Sequence, residues 1–151
     1  MSSACELCRC DGGRLLWRDD ALRVVLADDP DYPGFVRVIW NEHVREMSDL
    51  KPGDRERLMR IVFRTEAALR QVLRPDKINL ASLGNVTPHL HWHVIARYKD
   101  DAHFPQPIWG SRQRASDATA LAQRAARLAD LEVALVRELG TGLAAPIEQS
   151  R

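Results

Sequence analysis

The sequence has neither an excess of charge of one sign nor a long apolar run. Its 22 Lys and Arg residues oppose 21 Asp and Glu residues, which gives a formal net charge of +1. A dedicated DNA- or RNA-binding surface usually carries a strong basic excess, so a nucleic-acid polymer is not an expected partner. No apolar stretch approaches the roughly 18 residues of a membrane helix, and no secretory signal is visible. We therefore expect a cytoplasmic protein without a membrane partner, whose charge is compatible with one small anionic ligand such as a nucleotide.

Cysteine is also scarce, and the positions of the cysteines exclude a disulfide framework. Cys5, Cys8 and Cys10 all lie at one end of the chain, whereas a disulfide staple joins distant segments. In a cytosolic protein the Cys-x-x-Cys spacing of Cys5 and Cys8 indicates half of a metal site or a redox pair. Cys10 could replace Cys8, although Cys-x-x-Cys is the usual chelating spacing. The other interpretation is three reduced cysteines on a mobile terminus.

The remaining composition is that of an ordinary globular protein. Apolar residues make up 45% of the chain and charged residues 28%, which argues against wholesale disorder. A chain of this length buries about 68–70% of its unfolded surface and needs no disulfide to form a core. We expect one domain over residues 1–140 and a flexible tail over residues 141–151.

The residue pattern predicts an α+β fold built on an antiparallel sheet. Apolar runs bounded by turns predict strands at residues 15–17, 22–27, 35–40, 78–83 and 90–97. Pro52 suits the first turn of a helix that continues to about Arg74. A last helix is predicted from Ser116, its N-cap, to Gly140, and its apolar face is expected to pack on the sheet rather than in a dimer. That face consists of Ala118, Leu121, Ala125, Leu128, Leu131 and Leu135.

The most informative feature is a row of alternating histidines. His89, His91 and His93 fall on one face of the last predicted strand, because successive strand side chains point to opposite sides. Imidazoles on one strand face are costly unless they are solvated, hydrogen-bonded or bound to a metal. Neighbouring rings are roughly 6.6 Å apart along a regular strand and the outer pair roughly 13 Å apart. Since Zn–N bonds are about 2.1 Å long, one zinc ion cannot bind all three.

Two chemistries compete for this row. One is a zinc site formed by adjacent histidines. The other is nucleotidyl or phosphoryl transfer, in which a neutral central imidazole attacks phosphorus and its neighbours bind phosphate oxygens or assist the leaving group. The preceding turn, from Gly84 through Asn85 to Thr87, could bring backbone N–H groups to the same phosphate.

The segment from His89 to Ile95 resembles the signature of the histidine triad (HIT) superfamily, His-φ-His-φ-His-φ-φ, where φ is hydrophobic. Residues 79–85 are similar to the family segment that carries a substrate-binding Asn or Gln and a Gly-containing turn. Residues 33–39 resemble the strand that follows the family's nucleotide-binding loop. The resemblance implies a HIT-like antiparallel sheet of about five strands, with a main helix and a C-terminal helix, in a homodimer. It also implies that the chemical step needs no metal.

The resemblance assigns a role to each matching residue. His91 would attack the α-phosphate and form a nucleotidyl-histidine intermediate, His93 would assist the leaving group, and His89 would flank the phosphate or serve a metal. Asn79 and Asn85 would bind substrate near the ribose and phosphate. The other expected substrate-binding residues are Asp28 or Asp29 at the ribose, Thr87 in the turn and Trp109 as a wall of the site.

The function expected on these grounds is cleavage of a P–O or P–N bond at an α-phosphate by a hydrolase or transferase. The substrate would be a dinucleoside polyphosphate or a nucleoside phosphoramidate. Two departures leave the leaving group open: Phe35 stands where many members carry histidine, and the turn at residues 84–87 lacks a common Gln-Ser pair. They favour an alternative, a zinc-stabilised nucleotide-binding regulatory module with little turnover. A third hypothesis is a hydrolytic metalloenzyme.

The resemblance also implies a structural zinc site. In some bacterial HIT proteins a Cys-x-x-Cys pair joins two histidines around zinc, and the matching ligands here are Cys5, Cys8, His43 and His89. Four protein ligands fill a tetrahedral shell, which is typical of a structural site, and His91 and His93 then stay free.

Five aromatic residues are assigned from their surroundings. Trp17, Trp40 and Trp92 lie in apolar or strand segments and are expected in the core. His103, in the loop predicted at residues 100–110, is expected to be exposed. Trp109 lies in the same loop, where it could wall the nucleotide site or simply anchor the loop.

Overall fold

The computed structural model describes residues 4–140 and contains ten short and long elements in chain order. The strands are β1 (Arg14–Arg18), β2 (Leu22–Leu26), β3 (Phe35–Trp40), β4 (Lys77–Ala81) and β5 (His91–Arg97). The helices are α1 (Glu6–Arg9), α2 (Pro52–Leu73), α3 (Ala118–Ala125) and α4 (Leu128–Leu139), with a 3-10 turn at Met47–Asp49. The tail expected at residues 141–151 lies outside the described residues. Among residues 4–140, no helix has the length and apolar character needed to cross a membrane.

The five strands form one antiparallel sheet in the order β1-β2-β3-β5-β4. This confirms the predicted α+β fold and places β5, the histidine-bearing strand, inside the sheet between β3 and β4. The predicted strand at residues 35–40 has the bounds that the structure shows. The predicted strand at residues 78–83 ends earlier, at Ala81, and Leu83 is exposed.

The main helix follows the prediction at both ends. Pro52 occupies its first turn, where a missing N–H costs no helical hydrogen bond, and Asp54 lies near the positive end of the helix dipole. Arg74 ends the helix in a left-handed conformation with a φ of 47°, and its N–H donates to the carbonyl of Arg70. Pro75 follows directly, and a residue before proline avoids the helical conformation.

The two faces of the sheet have different surroundings. Val36, Val38, Val94 and other alternate residues point to one face and pack against α2 and α4 in the main hydrophobic core. The opposite face carries His91 and His93 and has two smaller apolar clusters. One cluster is formed by Cys5, Leu7, Val25 and Ile39. The other is formed by Ala27, Tyr32, Phe35, Ile95 and Ile108. The helices therefore leave the histidine face to the N-terminal segment and the loop after β5.

The prediction of one continuous C-terminal helix is wrong. The segment forms two helices, α3 and α4, with a break at Ala126 and Arg127. Each helix has its own anchor: Arg124 of α3 lies over the Tyr98 ring, 3.7 Å from its centroid, whereas α4 buries Leu131 and Leu135 in the core. The helix is interrupted between these anchors, and no glycine or proline marks the interruption in the sequence.

The N-cap of this segment was also wrongly predicted. Asp117, not Ser116, caps α3, and its carboxylate accepts from the backbone N–H of Ala120. Ser116 instead donates to the carboxylate of Asp31 at 2.5 Å. The predicted apolar face is buried only in part, because Ala118 and Ala125 are exposed. Gly140 ends α4 with a φ of 84°, as expected for a glycine after a helix.

Candidate functional site

The three histidines do not form one regular row. Strand β5 begins at His91, and His89 lies in a bend two residues before it, so the predicted strand start at Leu90 is wrong. The N–H of His89 donates to the carbonyl of Thr87 at 2.8 Å, and the N–H of Leu90 donates to Val44 at 2.7 Å. These bonds turn the chain before the strand, and the ring of His89 is thereby directed towards the N-terminal cysteines rather than along the face of β5.

His91 has one ring nitrogen fixed by the backbone. Its Nδ1 lies 2.6 Å from the carbonyl oxygen of His89. Because a carbonyl can only accept, Nδ1 must carry the proton, and Nε2 of the neutral ring keeps its lone pair. Burial lowers the pKa of His91, the nearby charge of Arg37 acts in the same direction, and the backbone bond opposes them. Neutral His91 therefore presents an unprotonated nitrogen at neutral pH.

His93 is a buried imidazole between two aromatic rings. Its ring centroid lies 4.9 Å from that of Trp109 and 5.3 Å from that of Phe35, and the His91 ring is 4.8 Å away. Burial is the main reason that the pKa of His93 falls to about 3, with smaller effects from His91 and Arg37. Its buried Nδ1 has no hydrogen-bond partner within the described part of the chain. At neutral pH His93 is therefore an uncharged ring with one ring nitrogen unsatisfied.

A cavity of about 360 Å³ opens over His91 and His93. Its lining includes Glu6 and Leu7 of α1, and Trp109 from the loop after β5. The turn between β4 and β5 contributes residues Leu83, Gly84, Asn85, Val86 and Thr87. This volume falls in the range typical of small-molecule sites, about 300–1,000 Å³.

Arg37 also lines this cavity, although it is not among the site residues predicted from the sequence. It faces His93 in the register between β3 and β5, and its side chain is half-buried. The signal was present in the sequence, because Arg37 interrupts an otherwise apolar strand, Phe-Val-Arg-Val-Ile-Trp. A charged residue on a buried strand face requires a polar partner or a ligand.

The structure brings only some of the predicted substrate residues to this cavity. Asn85, Thr87 and Trp109 line it, and Trp109 is 51% exposed with its ring edge against His93. Asn79 does not line the cavity: its Oδ1 accepts from Arg97 at 2.6 Å, and it borders a separate depression beside Trp109.

The two aspartates predicted at the ribose also lie outside the cavity. Asp28 is exposed, and Asp29 accepts the backbone N–H of Asp31 at 3.0 Å within its own loop. Contact of Asn79, Asp28 and Asp29 with substrate stays a prediction.

A buried network holds the loop that carries Trp109. Arg97, 2% exposed, donates to both carboxylate oxygens of Asp101, at 2.7 and 3.1 Å, and to the carbonyl of Gln106 at 2.7 Å. Tyr32 donates to the same carboxylate at 3.2 Å, and its oxygen lies 2.6 Å from Nδ1 of His103. His103 is therefore half-buried, and the prediction that it is exposed is wrong. The missed partners come from distant segments, which local sequence does not reveal.

Four residues converge on a second centre beside the cavity. Nδ1 of His89 lies 3.4 Å from the sulfur of Cys5 and 3.5 Å from that of Cys8, and Nδ1 of His43 lies 3.4 Å from the same Cys8 sulfur. The two Nδ1 atoms are 3.4 Å apart, and all four ligand atoms lie within 4.8 Å of one another. Tetrahedral zinc with Zn–S near 2.3 Å and Zn–N near 2.05 Å places its S and N ligands about 3.5 Å apart and its N ligands about 3.3 Å apart. The observed spacings fit this geometry.

The hydrogen bond of His89 also fits a metal ligand. Its Nε2 lies 2.6 Å from the carbonyl oxygen of Trp40, so Nε2 carries the proton and the lone pair is on Nδ1, which faces the cluster. Metal-bound histidines usually donate their other N–H in this way. Cys10 is not part of the cluster, because its sulfur is bonded to the carbonyl of Glu6 at 3.3 Å.

The cysteine segment is fixed to the sheet by a buried arginine. Arg23 of β2 is 4% exposed and donates to the carbonyls of Leu7 at 2.6 Å and Asp11 at 3.0 Å. Leu7 itself packs on Val25 and Ile39. The interpretation of the cysteines as residues of a mobile terminus therefore does not fit residues 5–10.

Comparison with known proteins identifies the domain. Residues 12–100 match the HIT domain. The chain is 29% identical to an AP-4-A phosphorylase from Mycobacterium tuberculosis (strain CDC 1551 / Oshkosh), over 66% of this chain and 54% of that protein. It thus spans about half the length of the curated relatives it matches.

Solved structures show the same fold. A histidine triad protein from Bradyrhizobium japonicum is 30% identical, with a TM-score of 0.63 over 83% of this chain and 90% of the other. A histidine triad protein from Marinobacter aquaeolei VT8 is 25% identical, with a TM-score of 0.66 over 85% and 90%. A Zn-bound histidine triad family protein from Mycobacterium smegmatis is 22% identical, with a TM-score of 0.59 over 89% and 99%. These likenesses confirm the HIT-like architecture that the histidine motif predicted.

Proposed function

Because the chain belongs to the HIT domain family, we propose that it is a nucleotide hydrolase or transferase that acts through a nucleotidyl intermediate on His91. The observation that carries the proposal is the hydrogen bond from Nδ1 of His91 to the carbonyl of His89, 2.6 Å long. It leaves the lone pair on Nε2 of a buried ring that lines the cavity. A positioned neutral imidazole is a competent nucleophile towards phosphorus.

In the first step Nε2 of His91 forms a bond to the α-phosphorus as the bond to the leaving group breaks. The leaving group departs with that electron pair, and the substituted imidazole carries a positive charge because Nδ1 keeps its proton. In the second step an acceptor oxygen attacks the same phosphorus, and the N–P electron pair returns to Nε2. With water as the acceptor, the products are a nucleoside monophosphate and one proton.

His93 acts in this scheme as a neutral hydrogen-bond donor. With its pKa lowered to about 3, it is uncharged at neutral pH and does not supply a proton as an imidazolium. Its ring lies beside that of His91 and lines the same cavity, so an N–H can contact a phosphate or leaving-group oxygen there. A polyphosphate leaving group is stable as an anion and needs no more than this.

A dinucleoside polyphosphate is the substrate class we favour. The name of the Mycobacterium tuberculosis relative, AP-4-A phosphorylase, supports this class, and a nucleoside phosphoramidate is the second candidate. The same name makes inorganic phosphate a candidate acceptor in place of water. Attack by phosphate would yield a nucleoside diphosphate rather than a monophosphate, so the product identifies the acceptor.

Zinc held by Cys5, Cys8, His43 and His89 is the cofactor that we propose, in a structural role. The spacing of the four ligand atoms and the tautomer of His89 support it. Bound zinc would cross-link the cysteine segment to the chain before β5, and four protein ligands would leave it no open position for substrate. The reacting groups are then His91 and His93, without a metal in the chemical step. The homodimer expected from the resemblance also stays a proposal.

The experiment combines turnover with detection of the intermediate. Wild-type protein, His91→Ala and His103→Asn are incubated with diadenosine tetraphosphate and with adenosine phosphoramidate, with and without inorganic phosphate. Products are separated by chromatography, and intact mass is measured after a quench that avoids acid. His103→Asn is the matched control, because His103 is half-buried in the neighbouring loop but does not line the cavity.

We expect wild type and His103→Asn to turn over at least one substrate and to show a nucleotidyl adduct. We expect His91→Ala to lose both, by a factor of about 10⁴ or more, as is usual when a covalent nucleophile is removed. Full activity of His91→Ala on both substrates would reject His91 as the nucleophile. Tight nucleotide binding by wild type without adduct or product would favour the regulatory binding module instead.

A further inference from the structure

Three arginines point to the histidine face of the sheet, and one of them differs from the other two. Arg23 lies on β2, Arg37 on β3 and Arg97 on β5, and the strand registers put all three on the face of His91 and His93. Each is partly or fully withdrawn from solvent. Since arginine stays protonated in proteins, each of these charges needs compensation.

Arg23 and Arg97 have their donors satisfied by the protein. Arg97 bonds to Asp101, Asn79 and the Gln106 carbonyl. Arg23 bonds to the carbonyls of Leu7, Cys10 and Asp11 and to Asn41. Both guanidinium groups therefore have structural roles, one under the Trp109 loop and one under the cysteine segment.

Arg37 has far fewer partners. It donates one hydrogen bond, from a terminal nitrogen to the carbonyl of Gly12 at 2.8 Å, and its guanidinium carbon lies 5.2 Å from the centroid of the Phe35 ring. Its Nε is buried without a hydrogen-bond partner anywhere in residues 4–140. In the same residues no carboxylate forms an ion pair with it. Glu6, which lines the same cavity, and Asp29 act on Arg37 only through long-range charge effects.

Arg37 is one of the residues that line the cavity. Arg37 lines it together with His91, His93 and Trp109, and it faces His93 across the β3–β5 register. A guanidinium group matches the geometry of phosphate, with parallel N–H donors to two oxygens. Positive charge beside a phosphorus under attack also stabilises the negative charge that builds on its oxygens.

We propose that Arg37 is a specificity-determining residue that binds non-bridging phosphate oxygens of the nucleotide beside His91. The proposal rests on the function proposed above for this cavity. It assigns to Arg37 the recognition of the phosphate, while the nucleoside is left to other walls of the cavity. The phosphate in turn supplies the negative charge that Arg37 lacks among the described residues.

The test is equilibrium binding of adenosine, AMP and ADP, measured by calorimetry. The proteins are wild type, Arg37→Gln, Arg37→Lys and the matched control Arg60→Gln. Arg60 is an exposed arginine of α2 that does not line the cavity. Gln keeps a polar side chain without the charge, and Lys keeps the charge without the two parallel N–H donors of a guanidinium group. Thermal unfolding of each variant shows whether it is folded. If Arg37→Gln does not fold, Arg37→Lys still tests the proposal.

We expect Arg37→Gln to weaken AMP and ADP binding by about ten- to a hundredfold, the range for a lost hydrogen bond to a charged group. Adenosine affinity should stay within about threefold, Arg37→Lys should recover part of the loss, and Arg60→Gln should match wild type. The proposal is overturned if adenosine and ADP lose affinity equally, if neither does, or if wild type binds ADP no better than adenosine. A wild type that shows the phosphate contrast but neither adduct nor turnover overturns the proposed reaction and leaves the role of Arg37 standing.

Discussion

The buried histidine of the cavity predicts a specific loss of stability in acid. The pKa of His93 is about 3 in the folded protein because its ring is buried and faces His91 and Arg37, against 6.5 for an ordinary imidazole. The other cavity walls near it contribute Trp109 and, further off, Glu6. Above pH 6.5 the ring is neutral in both the folded and the unfolded chain. Below that value the His93 ring is protonated in the unfolded chain but stays neutral in the folded protein. Stability therefore falls as the pH falls through 6.5 towards 3.

The size of the effect follows from linkage. Between pH 7 and pH 5 the unfolded imidazole goes from mostly neutral to almost fully protonated, and the folded His93 stays neutral. The free energy of unfolding should therefore fall by about 2 kcal/mol over this interval from His93 alone. Burial also lowers the pKa of His89 and of His91, so the total loss is larger. Comparison with a variant that lacks the His93 imidazole isolates the contribution of His93 to the change in the free energy of unfolding.

The assay is urea unfolding at pH 7 and pH 5 for wild type and His93→Gln, at equal zinc content. Gln is uncharged at both pH values, so its loss of stability should be smaller than that of wild type by about 2 kcal/mol. His103→Gln is the control for removing an imidazole outside the cavity, and its loss of stability should be closer to that of wild type than to that of His93→Gln. Equal losses in wild type and His93→Gln would refute the reasoning that burial holds His93 neutral.

Three further predictions concern the zinc site, a close backbone approach and the buried ion pair. Removal of zinc by a chelator should lower the unfolding temperature, whereas equal unfolding temperatures with and without metal would contradict a structural site. Gly13→Ala should destabilise by more than about 1 kcal/mol, because an added Cβ would lie 2.4 Å from a backbone oxygen; Gly53→Ala, with open space at its Cβ, should be neutral or stabilising in the same urea assay. Asp101→Asn should cost about 3–5 kcal/mol, since it leaves a buried guanidinium uncompensated, and Asp100→Asn, at an exposed carboxylate, less than about 1 kcal/mol. Similar losses at both aspartates would contradict the assignment of the buried pair.

The sequence was sufficient for the elements with strong local signals. Strand β3 and helix α2 have the bounds that their apolar runs and flanking residues predicted, because β-branched alternation and a proline at the first turn act locally. The break between α3 and α4 was not predicted, since its cause is tertiary. Arg124 packs on Tyr98 in the loop after β5, whereas Leu131 is buried in the core, and no residue at the break indicates these two contacts.

The candidate site, like the fold, was predicted from the sequence only in part. The spacing of the histidines predicted that one ion could not bind all three, but the regular row on which that argument depends is interrupted, because His89 lies in a bend before β5. The cluster of Cys5, Cys8, His43 and His89 has the composition that the resemblance implied. Arg37 was overlooked because a single charge in a strand becomes informative only when the opposing strand and its missing partners are known. The network around Arg97 joins residues up to 71 positions apart, so the spacing of residues within one segment does not predict it.

His89 contributes to both proposed sites, the zinc site through its ring and the nucleotide site through its backbone. Its ring faces the cysteines, with Nε2 hydrogen-bonded to the Trp40 carbonyl and Nδ1 beside the sulfurs of Cys5 and Cys8. Its carbonyl faces the other way and holds Nδ1 of His91, which sets the tautomer of the neighbouring ring. The bend before β5 makes both contacts compatible, since a regular strand would keep the first ring in line with the others. The backbone carbonyl of the first histidine therefore sets the tautomer of the second, and the lone pair of His91, whose ring lines the cavity, is left on Nε2.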